Sequence, residues 1–147
     1  MLIEIKVKVA REVEGKLRKK TETYLLEKEF FAEAEYALTA ELNEEVNSKL
    51  LDSFEIQGLR QSQIKEIYNE YPGNSSFIAT LKDIFLEPDG TEKSLKYKTL
   101  LWADSLNEAM SRINAIYRQG YNMSVEGLKE VNWIYLEEKK DAKDSNS

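Results

Sequence analysis

Ile3, Ile5, Val7 and Val9 alternate with Glu4, Lys6, Lys8 and Ala10. Strict period-2 alternation over that length predicts a strand with one buried and one wet face. Glu14-Gly15 supplies a turn, and Leu17 to Leu26 predicts the returning strand, rich in Thr, Tyr and Leu toward its end. From Phe31 the period changes. Phe31, Ala34, Ala37, Leu38, Leu42 and Val46 recur at three and four residues, the stripe of an amphipathic helix running to about Leu50. Asp52-Ser53 ends it, and Phe54 to Leu59 resumes a strand that Ile64, Ile67 and Tyr68 extend past a bulge or bend.

Tyr71-Pro72-Gly73-Asn74-Ser75-Ser76 reads as a turn separating two halves. Phe77, Ala79 and Leu81 then alternate with Ile78, Thr80 and Lys82, and Glu87-Pro88-Asp89-Gly90-Thr91 is a hairpin turn by its Pro-Asp-Gly core. Lys93 to Trp102 returns. Ser105-Leu106-Asn107-Glu108 has the spacing of a capping box, and Leu106, Ala109, Met110, Ile113, Ile116 and Tyr117 mark the apolar stripe of a second helix ending near Gly120. Val125 to Leu136 predicts the last strand, and 138–147, charged and without apolar period, a disordered tail.

The two halves read alike. Thr23 to Glu35 aligns with Lys98 to Met110 (Leu25 on Leu100), and Ile56-Gln57-Gly58-Leu59-Arg60 with Val125-Glu126-Gly127-Leu128-Lys129. The expected fold is α+β: a tandem duplication of a strand-strand-helix-strand unit, residues 1–71 and 76–137, whose antiparallel sheets join or pack, a continuous sheet being favoured, with both helices on one face. Gly58 and Gly127, recurring inside strands, fit a bulge or close backbone approach better than a ligand.

Composition narrows the chemistry. Among 147 residues there is no Cys and no His, which removes disulfides, Cys/His zinc sites, thiol nucleophiles and the imidazole base of a triad. Carboxylates, Lys, Tyr or carboxylate-held Mg²⁺ would have to carry any catalysis, so a non-enzymatic protein without cofactor or metal is expected. No apolar run approaches the roughly 20 residues that span a bilayer, and Met1-Leu2-Ile3-Glu4-Ile5-Lys6 lacks a signal-peptide layout. A cytoplasmic location follows as an expectation, as does a monomer or a homodimer formed through an open sheet edge.

The net charge of −6 argues against a generic polyanion binder, but its distribution is uneven. Lys6 and Lys8 on one strand, with Lys16, Arg18, Lys19 and Lys20 on its partner, make the first hairpin basic; Lys96 and Lys98 lie in the corresponding strand of the second half. Such residues can track a phosphate backbone through counterion release. Equally, wet strand faces are ordinarily charged, and Lys guards exposed edges. Tyr97 and Trp102, with Tyr24, Trp133 and Tyr135, offer stacking platforms for unpaired bases or simply pack on half-buried sheets. The glutamates of the first helix point outward at solvent spacing rather than converging on a metal.

The order of these signals resembles a known family. A basic N-terminal hairpin, Tyr24-Leu25-Leu26 with Phe31 and Ala34-Glu35, a Pro/Gly break, and a second hairpin ending in Leu100-Leu101-x-Ala103-x-Ser105-Leu106-x-Glu108-Ala109 are similar to an uncharacterised domain-of-unknown-function family of Bacteroidetes and their crAss-like phages. The resemblance implies an accessory protein of a phage or mobile element, in the host-cell cytoplasm if viral. It carries no catalytic residue. The expected function is therefore single-stranded nucleic-acid binding through Lys6, Lys8, Lys16, Arg18, Lys19, Lys20, Lys96, Lys98, Tyr97 and Trp102. The alternative is a protein-interaction module acting on a host or viral protein.

Overall fold

The structure, a computed structural model, describes residues 1–117 and 123–137. The expected helix end at Gly120 and the tail at 138–147 lie outside the described residues. The elements run β1 (Leu2–Val13), β2 (Lys16–Glu27), α1 (Phe31–Asn47), β3 (Ser53–Gln61), β4 (Ile64–Tyr68), β5 (Ser75–Leu86), β6 (Glu92–Ala103), α2 (Leu106–Ile116), β7 (Met123–Val131) and β8 (Trp133–Leu136). The fold is α+β, as expected. Among the described residues, no helix is long and apolar enough to cross a membrane.

The strands form two four-stranded sheets rather than the favoured continuous one, ordered β3-β1-β2-β8 and β4-β6-β5-β7, and each is mixed rather than antiparallel throughout. The cause is the closing strand of each half, which is two strands rather than one. Ser62 donates its backbone N–H to the Leu2 carbonyl, finishing the β3 ladder on β1. Beyond it, β4 leaves that sheet and pairs in parallel with β6. After Asn132, β8 likewise pairs in parallel with β2. Two compact units result: Met1–Ser62 with the segment from Trp133, and Gln63–Asn132.

In the first unit, Ile3, Ile5, Val7 and Val9 meet Ala34, Leu38 and Leu42 of α1 in one core, joined by Tyr24 and Leu26 of β2 and edged by Leu136 of β8. Removing such side chains from water at roughly 25 cal/mol per Å² is what holds a lone helix on its sheet. No side chain caps α1: Phe30 stands at its N-cap position. In the second unit Phe77, Ala79, Leu81, Leu101 and Ala103 meet Ala109 and Ile113 of α2, with Tyr68 of β4 packed at the margin. Here the cap is present: the Ser105 hydroxyl accepts from the Glu108 N–H at 3.1 Å. The Glu108 carboxylate turns away to Arg112, at 2.6 Å, so the capping box is half-formed.

Gly58 and Gly127 each sit at a register shift. Lys6 pairs with Gly58 but Val7 with Ile56, and Thr80 with Gly127 but Leu81 with Val125, so Gln57 and Glu126 are the extra residues of two matching bulges. Gly73 answers a different need. A Cβ there would lie 2.3 Å from the Ala103 backbone nitrogen, so only glycine lets the turn reach β6.

Candidate nucleic-acid interface

Pairing register assigns every basic strand residue to a face, since partners across a ladder share one and neighbours along a strand alternate. In β2, Tyr24 faces α1; Glu22, Lys20, Arg18 and Lys16 follow it at steps of two, opposite Val7, Val9, Arg11 and Val13. Lys6, Lys8 and Lys19 lie on the other face, Lys19 opposite Ala10. The first hairpin is therefore not basic on a single outward face. Its cations divide between both sides of the ribbon, and all six are exposed.

On the helix side, the charges near α1 are internally matched. The Arg11 guanidinium reaches the buried Glu22 carboxylate at 3.1 Å and lies 3.8 Å from Glu45, while Lys20 stands 3.7 Å from Glu22. The Tyr24 hydroxyl donates to Glu22 at 2.6 Å. Burial, reinforced by that carboxylate, drives the Tyr24 phenol well above its ordinary pKa. Tyr24 is a core residue, which removes it as a stacking platform.

The second unit repeats the division. Lys82, Lys96 and Lys98 lie on the face turned away from α2, with Lys82 directly opposite Lys96, Thr80 opposite Lys98, and Ser76 opposite Trp102. Lys129 of β7, opposite Ile78, joins them. Among the described residues, Lys82, Lys96 and Lys98 have no acid within ion-pair distance, whereas Lys93 near the hairpin turn is 3.4 Å from Glu87. Asp83, next in sequence to Lys82, faces the other way, opposite Leu95.

Tyr97 does not join this group. It is turned toward α2, opposite Leu81, with its hydroxyl on the Met123 sulfur at 3.4 Å and the Lys65 ammonium 5.7 Å from its ring centre. It belongs to a phenol cluster that the sequence reading missed. The Tyr68 hydroxyl donates to Glu66, the Tyr117 hydroxyl reaches the same carboxylate oxygen at 3.2 Å, and the two phenols stand 3.0 Å apart. Their rings meet edge to face at 6.3 Å. Burial, with the bond to Glu66, pushes Tyr68 up to about 12. Burial, with the Tyr117 phenol beside it, pushes Tyr97 up to about 12 as well. Phenols raised in this way stay protonated at neutral pH, and their hydrogen bonds tie β4 to the C-terminal end of α2. Its sequence signal was the Glu66-x-Tyr68 spacing, which puts both side chains on one strand face.

Sequence reading also missed a recess in the first unit. Glu4, Lys6, Gly58, Leu59 and Arg60 line a depression of about 140 Å³. Glu4 is opposite Arg60 on the face away from α1, and Arg60 Nε donates to its carboxylate at 2.5 Å. The Glu4 side chain is 2% exposed and that of Arg60 63%, so the acid is the fixed partner and the cation the movable one. Trp133 of β8 lies on this same sheet face, opposite Thr23. Among the described residues, no cluster of three or more acids could hold a metal ion.

No curated protein and no solved structure matches the chain. A family model does, over residues 1–137, nearly all of the sequence: the chain belongs to the family described as Domain of unknown function (DUF4494).

Proposed function

We propose that this is a non-enzymatic single-stranded nucleic-acid-binding protein that uses, in each unit, the sheet face turned away from the helix. The observation that carries the reading is the Lys82/Lys96 pair. Like charges directly opposite across a ladder are destabilising, and here they occur with Lys98 beside them and, among the described residues, no acid within ion-pair distance. A polyanion lying along this face would neutralise that repulsion. Trp102, half-buried on the same face and four residues along β6 from Lys98, supplies an aromatic surface at the end of that row. Lys6, Lys8 and Lys19 form the corresponding surface in the first unit. Lys16, Arg18 and Lys20, on the reverse of the same ribbon, join it only where a strand wraps the hairpin.

The proposal includes descent by tandem duplication. Both sheets place the equivalents of β1, β2 and β3 in the same order, close with a parallel strand, and carry the same bulge before a glycine. An accessory role in phages of Bacteroidetes belongs to the same reading, and replication genes beside this one would favour it. The primary test is fluorescence anisotropy with a labelled oligothymidylate in low salt. Binding that weakens steeply with added salt supports the reading, and absence of binding in low salt ends it.

One observation favours the alternative, a protein-interaction module. Phe85, Leu86 and Leu95 are exposed around the acidic turn Glu87-Pro88-Asp89-Gly90. A single stoichiometric protein partner retained on immobilised wild-type protein and lost with Phe85→Ser, together with no oligonucleotide binding, would establish that reading instead.

A further inference from the structure

The recess beside Gly58 has a built floor. Glu4 is a charged residue held at 2% exposure, fixed by Arg60 Nε on one oxygen and touched by the Ser62 hydroxyl only at 3.4 Å on the other. A carboxylate accepts at about four lone-pair sites. The second oxygen therefore keeps acceptor capacity, in a place where a new hydrogen bond is little weakened by water.

Gly58 keeps the space open. Its backbone is not in the left-handed region, and a Cβ built on it meets nothing within 4 Å, so neither strain nor crowding requires glycine there. A larger side chain would occupy the depression itself. The bulge at Gln57 widens the ladder at the same point. In the second unit the place of Glu4 is taken by Ile78, opposite Lys129 and next to the bulge at Gly127, so an acid at this position distinguishes the first unit.

From this geometry we infer that the Glu4 recess receives a guanine base of the bound single strand; the inference rests on the nucleic-acid reading. The donor pattern selects the base. Guanine alone among the standard bases presents two adjacent donors, N1–H and the N2 amino group, which match the two oxygens of one carboxylate. Adenine and cytosine set a donor beside an acceptor, and thymine and uracil flank their single N–H with carbonyls. The volume, about 140 Å³, lies well under the roughly 300 Å³ at which drug-sized sites begin, so it admits a base and not a whole nucleoside. On base entry the exposed Arg60 head swings from Glu4 to the flanking phosphate, and Lys6, opposite Gly58, meets the phosphate on the other side.

The test compares anisotropy titrations of two strands of roughly 12 nucleotides, an oligothymidylate and the same strand carrying one central guanine. A bidentate base contact discriminates by roughly 1–3 kcal/mol. The guanine strand is thus expected to bind roughly tenfold tighter. Glu4→Gln, whose amide sets a donor against one guanine donor, should bring that ratio to near one while leaving oligothymidylate affinity equal or slightly higher. Gly58→Val, which fills the recess and leaves the Glu4 carboxylate in the protein, should do the same with a melting temperature no lower than that of the wild type. Equal affinity of the wild type for both strands would overturn the inference while sparing the nucleic-acid reading; so would a ratio that survives both substitutions. Failure of both strands to bind would overturn both.

Discussion

Replacing Lys82, Lys96 and Lys98 together by Gln tests the central reading most directly, because its effect on binding and its effect on stability have opposite signs. Each Lys that neutralises a phosphate of a single strand contributes about 0.7 to the slope of log K against log salt. Three such residues, unmatched by acids among the described residues, should therefore lower the magnitude of that slope by roughly 2. Referred to 1 M salt, where counterion release vanishes, the variant should bind roughly 100-fold more weakly at 0.1 M. Folding should move the other way. Removing the Lys82/Lys96 opposition relieves a cross-strand repulsion of roughly 0.2–1 kcal/mol, so the variant should resist urea at least as well as the wild type. The assay is anisotropy with an oligothymidylate over a salt series, paired with urea unfolding of the same preparations. An unchanged slope in a correctly folded variant would refute the assignment of this face. The parallel variant with Lys16, Arg18 and Lys20 replaced by Gln separates the reverse side of the first ribbon: its slope should change by less.

Three further outcomes are expected. Ser105→Ala removes the acceptor for the Glu108 N–H and should cost about 1 kcal/mol in urea unfolding, whereas Phe30→Ala, at an N-cap that makes no side-chain bond, should not lose a cap. Gly73→Ala drives a methyl into the Ala103 backbone, which cannot swing aside as a side chain tip would; a loss of roughly 2–3 kcal/mol is expected, and a melting temperature within a degree or so of wild type would contradict that packing. Tyr68 and Tyr97, pushed up to about 12, hold their protons more tightly folded than unfolded. Their stabilising share is complete below the ordinary phenol value near 10 and is lost as pH climbs from there toward 12. Phenolate absorbance of the native protein should rise later in pH than in urea, and Tyr68→Phe should remove part of that late rise.

Local order was legible from sequence wherever one segment carried its own signal. Ile3 to Val9 announced a half-buried strand, Ser105-x-x-Glu108 marked where α2 begins, and the repeated glycines at 58 and 127 pointed to bulges that the register contains. What escaped was partner choice. Ile64 to Tyr68 and Trp133 to Leu136 are short, and nothing in five or four residues encodes which distant strand they join; that depends on where Tyr68 and Leu136 find a core to edge. The sidedness of the first hairpin was legible in principle, because Lys20, Arg18 and Lys16 share the parity of the core residue Tyr24. Sequence crowding concealed it. The Glu4 recess was hidden for a third reason: an acid in a strand reads as solvent-facing until pairing puts Arg60 across from it.

The traded closing strands have a consequence for how the chain is made. A nascent polypeptide that has emerged only as far as β7 holds a complete set of partners for β6 and β5, yet β2 still lacks its neighbour, because Trp133–Leu136 follows every other described strand in the chain. Of the two described sheets, the one begun first is thus the later to close, and until then its Thr23–Leu26 edge offers unpaired amides and carbonyls to any strand nearby. A stop codon shortly before Trp133 would spare the later sheet and strand the earlier one, sending the amino-terminal end of the product toward aggregation.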